Sequence, residues 1–247
     1  MTSGCLRPAP QNDKPADAIP APALPGDKVV FCLDISSSYD DSHRRAAQQT
    51  VADALPHLVR PGRGTHDVYV YEISENSYGR PPLLTLTVPA LREKPAASLE
   101  SAPPLQGSAL TEQLEKIVDK WEDERRDARR GARVEAEKVR DLRLGTREGT
   151  DIGGCLENAA EQFRDHKGDR RLVIASDLRV HGVQQLAAAR LNGVTVDVIE
   201  FACTQARTCD ALRRTWTKRF DALGARSVNI TRPGVSAALF GSEAEDK

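Results

Sequence analysis

The chain alternates between strand-like and helix-like segments from residue 29 to residue 230, and this alternation restricts the folds open to it. It begins with Val29-Val30-Phe31-Cys32-Leu33, an unbroken apolar run typical of a central strand that is buried on both faces. Strands alternating with helices indicate an α/β fold, Rossmann-like, with a mostly parallel central sheet and helices on both faces. Further strands are predicted at 68–73, 83–88, 171–176, 194–201 and 227–230, and helices at 41–59, 109–143, 152–163, 182–191 and 207–223.

The two ends of the chain differ in composition from this alternating region. Residues 1–26 are dominated by Pro and Ala, and such a segment cannot bury enough apolar surface to offset its ordering entropy. It is therefore predicted to be a disordered tether, and residues 236–247 are predicted to be a disordered tail. Residues 27–235 between them are predicted to form one domain, to which residues 89–148 contribute a Pro-rich stretch and a charged helical insertion.

The overall charge excludes some classes of partner. The 35 basic and 36 acidic side chains nearly cancel, so no general electrostatic attraction to nucleic acid or to a membrane surface is expected. No apolar run approaches the roughly 20 residues that span a bilayer. The five histidines are scattered over predicted helices and loops, and we interpret each of them as a surface residue.

Three short pieces of sequence place oxygen-bearing side chains at the ends of predicted strands or at the start of a predicted helix. Asp34, Ser36 and Ser38 alternate directly after the first strand, Thr150 precedes a helix, and Asp177 follows a later strand. In a parallel sheet ligands bind at the carboxyl ends of the strands, so we expect these side chains to converge. Carboxylates and hydroxyls suit Mg²⁺ first, and also Mn²⁺ or Ca²⁺, whereas zinc would favour His or Cys.

The pattern DxSxS, then a Thr, then an Asp resembles the metal-ion-dependent adhesion site of the von Willebrand factor type A (VWA) family, in the form of its bacterial members. The resemblance covers about residues 27–232. It implies that the hydroxyls ligate one divalent ion directly and that the carboxylates act through water. It also implies a protein partner whose Asp or Glu carboxylate completes the metal shell. The chain is then a metal-ion-dependent adhesion or scaffold module and not an enzyme.

One departure from the family pattern and one simpler interpretation bear on this hypothesis. The third element reads Ser176-Asp177-Leu178, where the family often has Asp-Gly, so a different loop geometry is expected there. Asp, Ser and Thr are also the residue types that cap helix N-termini. Asp34 and Ser36 could cap the first helix, Thr150 or Asp151 the helix at 152, and Asp177 the helix after it.

An enzyme is the second functional interpretation, because acids at strand ends also describe metal-dependent phosphatases and nucleases of Rossmann-like topology. A phosphatase with an aspartyl nucleophile would resemble DxDxT, and here Ser36 replaces the second acid. A two-metal nuclease needs about four clustered carboxylates. Asp34, Asp151 and Asp177 fall one short of that number unless Asp40 or its neighbour Asp41 joins them.

The five cysteines match no zinc spacing. Cys32 in an apolar strand and Cys155 at a helix start are interpreted as buried thiols. Cys203 and Cys209 are close enough to form a disulfide, and two reduced thiols fit their positions equally well. Cys5 ends the stretch Thr-Ser-Gly-Cys, which resembles the end of a bacterial lipoprotein signal. Acylated Cys5 would tether the chain at the cell surface if the start is misassigned, whereas a correct start implies the cytoplasm.

The predicted helix 109–143 is unusual because its middle is almost wholly charged. Leu110, Leu114, Val118 and Trp121 share one face near its start, and arginines mixed with acids follow from 122 to 133. Such mixing indicates a solvated, salt-bridged surface. Because the helix joins the domain close to the Thr150 loop, we expect it to border the metal-binding edge and to influence the choice of partner.

Overall fold

The computed structural model describes residues 24–95, 108–180, 189–233 and 239–240. The strands are β1 (Lys28–Asp34), β2 (His66–Ile73), β3 (Leu84–Val88), β4 (Arg170–Ala175), β5 (Thr195–Ile199) and β6 (Ser227–Ile230). The helices are α1 (Asp41–Ala54), α2 (Ser108–Arg140), α3 (Ile152–Phe163) and α4 (Ala206–Ala222), with a 3₁₀ turn at Leu55–Leu58 directly after α1. The strands form one sheet in the order β3-β2-β1-β4-β5-β6, in which β3 alone is antiparallel to its neighbour.

A separate hydrophobic core lies on each face of the sheet. Alternate β1 side chains divide between the two: Phe31 and Leu33 pack with α1 and α2, while Val30 and Cys32 pack with α3 and α4. All are fully buried, as the unbroken apolar run of β1 predicts. The predicted fold class is therefore confirmed: an α/β, Rossmann-like, mostly parallel sheet with helices on both faces. The helix predicted at 182–191 lies almost wholly outside the described residues.

The predicted helical insertion is present as α2, which packs against α1, the 3₁₀ turn and β3. Its buried stripe continues from Trp121 through small residues spaced four apart, namely Ala128, Ala132 and Ala136, which allow the neighbouring elements to approach closely. Its outer face carries ion pairs three residues apart, such as Arg126 with Asp123, as the mixed charges predicted. In the ranges that the structure describes, no helix is both long enough and apolar enough to cross a membrane.

Both predicted domain boundaries exclude residues that the structure packs against the domain. At the N-terminal side, Leu24 N donates to Gly62 O at 3.1 Å and Gly64 N donates to Leu24 O at 2.8 Å, so residues 24–26 belong to the fold and not to a free tether. At the C-terminal side, Leu239 and Phe240 are buried in the core on the α1 and α2 face. The predicted tail, residues 236–247, therefore includes two apolar residues that are part of the core. Residues 1–23, with Cys5, lie outside the described residues.

The amino edge of the sheet, where β1 and β4 begin, holds a network of ion pairs. Arg60 donates to the buried Asp27 carboxylate, and Arg63 lies 3.9 Å from Asp27 Oδ1 and 3.3 Å from Asp169 Oδ2. The first residue of β2, His66, is fully buried beside them and accepts a 2.8 Å hydrogen bond from Asp27 N at Nδ1. The prediction that every histidine lies at the surface was therefore wrong for His66. Burial lowers the pKa of its imidazole, because the charged form loses its hydration.

Candidate functional site

The turn after β1 brings together the first three predicted site residues. The Asp34 carboxylate is fully buried; its Oδ1 accepts from Ser36 N at 2.9 Å, and its Oδ2 accepts from Ser176 Oγ at 2.6 Å. The hydroxyl oxygens of Ser36 and Ser38 are 3.1 Å apart. Ser36 is buried and Ser38 is exposed, so the hydroxyl pair extends from beside Asp34 to the protein surface.

The neighbouring strand β4 supplies the next element of the site. Because β1 and β4 are parallel and in register, Ser176 follows β4 at the level of Asp34 and bonds to it directly. The next residue, Asp177, is buried, and its Oδ1 accepts from Arg179 N at 2.9 Å. The Arg179 Nε lies 4.0 Å from Asp177 Oδ2. Asp177 therefore lies at the same edge of the sheet as Asp34, in a short turn closed by its own carboxylate.

Leu178 occupies the position where the VWA pattern often has glycine. Its φ of 58° lies in the left-handed region that favours glycine. The Leu178 N–H donates to Ser176 Oγ at 3.0 Å, and its carbonyl accepts from Trp216 Nε1 at 3.0 Å. The left-handed conformation costs about 1–2 kcal/mol. Full burial of the leucine side chain offsets this cost by about 1.5–3 kcal/mol.

The loop that carries Thr150 lies against the turn after β1. Arg147 N donates to Ile35 O at 2.9 Å, and Ser37 N donates to Arg147 O at 3.0 Å, so the two segments pair like short strands. The residue after Thr150 donates its N–H to Ser74 O, just beyond β2, at 2.7 Å. Thr150 itself is buried between these two attachments. α2 packs elsewhere, on α1 and β3, and it is the connection 141–149 that leads from α2 to the site.

A disulfide between Cys32 and Cys155 ties β1 to α3 directly beneath the site, with 6.3 Å between the two Cα atoms. The interpretation of these two cysteines as thiols was therefore wrong. They are 123 residues apart, and their proximity arises only when α3 packs on the sheet. A second disulfide joins Cys203 to Cys209 across the loop that enters α4, with a Cα–Cα distance of 5.6 Å.

Helix capping does not account for the residues of the first two elements. Asp40 is the N-cap of α1, and Asp151 is the N-cap of α3; each accepts a hydrogen bond from a backbone N–H in the first turn of its helix. Asp34 and Ser36 therefore do not cap α1, and Thr150 does not cap α3. The start of the helix predicted after Asp177 lies outside the described residues.

Two further residues at this edge were not identified from the sequence, Tyr39 and Glu200. Tyr39 is fully buried, and its hydroxyl donates to Glu200 O at 3.1 Å. Burial and the negative charges of Glu200, Asp34 and Asp177 raise the pKa of this hydroxyl. Glu200 directly follows β5 in the left-handed conformation, with φ 50°. Its position at a strand end is the signal that could have identified it.

Burial and neighbouring groups have opposite effects on the pKa of the Asp34 carboxyl group. Burial raises the Asp34 pKa, because the ionised form loses its hydration. Hydrogen bonds from Ser176 and Ser36, and the positive charge of Arg44, oppose this shift. Among the residues that the structure describes, no three His, Cys, Asp or Glu side chains come together to hold a metal. A cation here would therefore depend on the serine and threonine hydroxyls as well as on carboxylates.

Comparisons with protein-family models and with curated proteins found no match for the chain. Among solved structures, an aerotolerance-related membrane protein from Bacteroides fragilis, with multiple mutations to serines, is similar over 87% of this chain and 95% of that one, at 16% identity and a TM-score of 0.40. The pilus adhesin SpaC from Lactobacillus rhamnosus GG, in its open conformation, is similar over 90% of this chain, at 10% identity and a TM-score of 0.42. The chain spans 29% of that adhesin's length. At this level of similarity neither structure bears on what the site binds.

Proposed function

We propose that this chain is a protein-binding module of the VWA type that depends on one bound divalent cation, most suitably Mg²⁺. In this proposal Asp34, Ser36, Ser38, Thr150 and Asp177 hold the ion. The observation that supports it is the turn after β1, where a fully buried carboxylate lies beside a pair of hydroxyls 3.1 Å apart. The Thr150 loop pairs with this turn, and Asp177 follows the adjacent strand.

The chemistry of these donors fits a hard divalent cation. Their oxygens are the ligands that Mg²⁺, Mn²⁺ and Ca²⁺ prefer, and the two carboxylates balance the charge of one ion. Asp34 receives its hydrogen bonds from an amide and a hydroxyl, both neutral, so a cation would offset the cost of burying its charge. A bound Mg²⁺ would supply an exchangeable coordination position for the carboxylate of a partner's Asp or Glu.

The positions of the other acids favour binding over two-metal hydrolysis. Asp151, which a nuclease site would need, turns its carboxylate to the N–H groups of Gly154 and Ser77, at 2.8 and 3.0 Å. Asp40 caps α1, and Asp41 pairs with Arg44 at 2.9 Å. The carboxylates that would raise the number to four are thus engaged in helix caps and an ion pair.

Calorimetric titration of Mg²⁺ and Mn²⁺ tests the proposal. We expect wild-type protein to bind one ion and the Asp34→Ala/Ser36→Ala variant to bind none. Asp40→Ala is the matched control: it removes the same charge close by and costs about 1 kcal/mol of capping, but it leaves the proposed ligands in place. Wild-type protein that binds neither ion would overturn the proposal. Metal-dependent hydrolysis of a phosphomonoester or phosphodiester would instead support the alternative function, a metal-dependent phosphatase or nuclease.

A pull-down with and without EDTA then tests the binding role. Partner proteins are expected to be retained with Mg²⁺ and released by EDTA, and the Asp34→Ala/Ser36→Ala variant should retain none of them. The two disulfides favour an oxidising compartment, where such bonds persist. Mass spectrometry of the native protein, which detects both disulfides and an acylated Cys5, tests whether the protein is in such a compartment. Reduced cysteines and an unmodified Cys5 would favour the cytoplasm instead.

A further inference from the structure

A cavity of about 630 Å³ lies between α1 and the segment that follows α2, and charged side chains dominate its wall. Its charged lining consists of four arginines and two aspartates: Arg44, Arg45, Arg140, Arg143, Asp41 and Asp141. The wall is held in place by Gln48, whose amide donates to Val139 O at 3.1 Å and to Leu142 O at 2.8 Å. The cavity therefore combines a defined shape with an excess of positive charge.

The most buried of these groups is Arg44, which is 5% exposed. Its Nη2 lies 2.9 Å from the exposed Asp41 carboxylate, and its Nη1 is 3.5 Å from Thr146 Oγ1. Its Nε is buried and makes no hydrogen bond with any residue that the structure describes. A buried donor without an acceptor destabilises the protein, and an entering oxygen anion would supply the acceptor.

The other arginines differ in how they are neutralised. Arg140 is engaged by Asp53 and Glu137. Arg45 and Arg143 are exposed, and neither forms an ion pair or side-chain hydrogen bond within the part of the chain that the structure describes. The same cavity is thus lined by two exposed guanidinium groups without an ion pair and by the buried Arg44. Guanidinium groups bind carboxylate and phosphate through paired N–H donors.

We propose that this arginine cavity binds an oxyanion, a carboxylate or phosphate group of a ligand, through Arg44 Nε and the side chains of Arg45 and Arg143. The cavity adjoins the candidate metal loop, since Thr146, which contacts Arg44, precedes the residue that pairs with Ser36. A ligand with two acidic groups could then occupy both places. The oxyanion site does not require the metal, so a negative result for one of the two sites does not exclude the other.

Titration of inorganic phosphate and, separately, of glutarate into the full chain tests the proposal, with ionic strength held constant by chloride. Saturable binding is expected in wild-type protein and should be about five- to tenfold weaker in Arg45→Gln/Arg143→Gln. The control Arg126→Gln/Arg130→Gln removes two exposed charges from α2 and should bind as wild type does. Binding of glutarate alone identifies an acidic side chain as the ligand, and binding of phosphate alone identifies a phosphorylated one.

Two outcomes overturn the proposal: no saturable binding of either anion to wild-type protein, or equal binding by Arg45→Gln/Arg143→Gln. Arg44→Gln, checked for folding by thermal melting, should weaken binding further because it removes the interior donor. Mg²⁺ titration separates the two proposals. Arg45→Gln/Arg143→Gln should bind Mg²⁺ as wild type does, and Asp34→Ala should keep its oxyanion binding. Anion binding without any Mg²⁺ binding would leave this inference standing and remove the metal site.

Discussion

The two edges of the central sheet differ in how each holds one buried carboxylate, Asp27 at the amino edge and Asp34 at the carboxyl edge. At the amino edge the acids meet arginines of the same chain: Asp27 contacts Arg60 and Arg63, and Asp169 contacts Arg63. At the carboxyl edge the buried Asp34 carboxylate is held instead by an amide and a serine hydroxyl. Arginines of the same chain thus neutralise Asp27, whereas Asp34 is a buried carboxylate that an external cation could neutralise.

Backbone strain and covalent linkage follow the same division. Two of the three non-glycine residues with positive φ that the structure describes, Leu178 and Glu200, lie just beyond β4 and β5 at the carboxyl edge. Strained backbone collects at functional sites, where the surrounding structure must hold it. Here the Cys32–Cys155 disulfide lies beneath the edge and joins the strand of Asp34 to the helix after Thr150. The carboxyl edge thus has a covalent bond beneath it in addition to ion pairs such as Asp177 with Arg179.

The largest expected effect concerns that covalent bond. Replacing Cys32 and Cys155 with alanine should lower the free energy of unfolding by about 4–5 kcal/mol, because the bond closes a loop of 123 residues. Removing Cys203 and Cys209 should cost only about 2 kcal/mol, since they are six residues apart. Urea unfolding of the non-reduced proteins measures both. Similar losses for the two variants would show that the long loop does not govern the stability of the carboxyl edge.

The next effect tests the amino edge. Asp27→Asn keeps the shape of the side chain but removes the charge that faces Arg60 and Arg63, so the free energy of unfolding should fall by about 2 kcal/mol. This loss is smaller than for a fully buried ion pair, because the Arg60 side chain is 41% exposed and partly hydrated. Thermal and urea unfolding measure the change. An unchanged free energy of unfolding would mean that the ion pairs of Asp27 with Arg60 and Arg63 do not stabilise this edge.

The same substitution at the carboxyl edge should have the opposite sign. Burial raises the Asp34 pKa, so in metal-free protein the ionised form destabilises the fold above that pKa, and the cost disappears as the pH falls through it. Asp34→Asn should therefore stabilise the metal-free protein by roughly 1 kcal/mol at pH 7. It should also abolish any increase in melting temperature with Mg²⁺. Destabilisation in EDTA would show that the carboxylate is satisfied without a cation.

The smallest effect is a pH dependence that arises from the amino edge. Burial holds the His66 pKa below its ordinary 6.5, so the stability due to neutral His66 is complete above pH 6.5 and is lost as the pH falls below it. Partial burial lowers the His166 pKa in the same direction. Between pH 7 and pH 5 the loss should be roughly 0.5–1 kcal/mol. His66→Gln should reduce this slope, and His57→Gln should leave it unchanged; equal slopes in all three proteins would contradict the assignment.

Much of this fold could be predicted because its signals are local. The apolar run 29–33 predicts a strand buried on both faces, and helical spacing predicts α1, α3 and α4, since periodicity needs only neighbouring residues. The DxSxS turn and Asp177 could likewise be placed at one edge, because the parallel strands before them end on the same side. Thr150 follows no strand, and it lies there because its loop pairs with the turn after β1. Their coordination of a metal is still a prediction, since the sequence names donors and not an ion.

Only the tertiary structure decided which distant residues meet. Cys32 is bonded to Cys155, and His66 is buried beside Asp27. Both contacts join segments that are far apart in sequence, and local sequence patterns do not predict such contacts. The alanine stripe of α2 was not identified from the sequence, and it is buried because α1 and β3 pack against α2. Tertiary packing likewise buries most of the Arg44 side chain. The sequence thus determined the elements and the edge that carries the site, and long-range packing determined its disulfide, its charges and its neighbouring cavity.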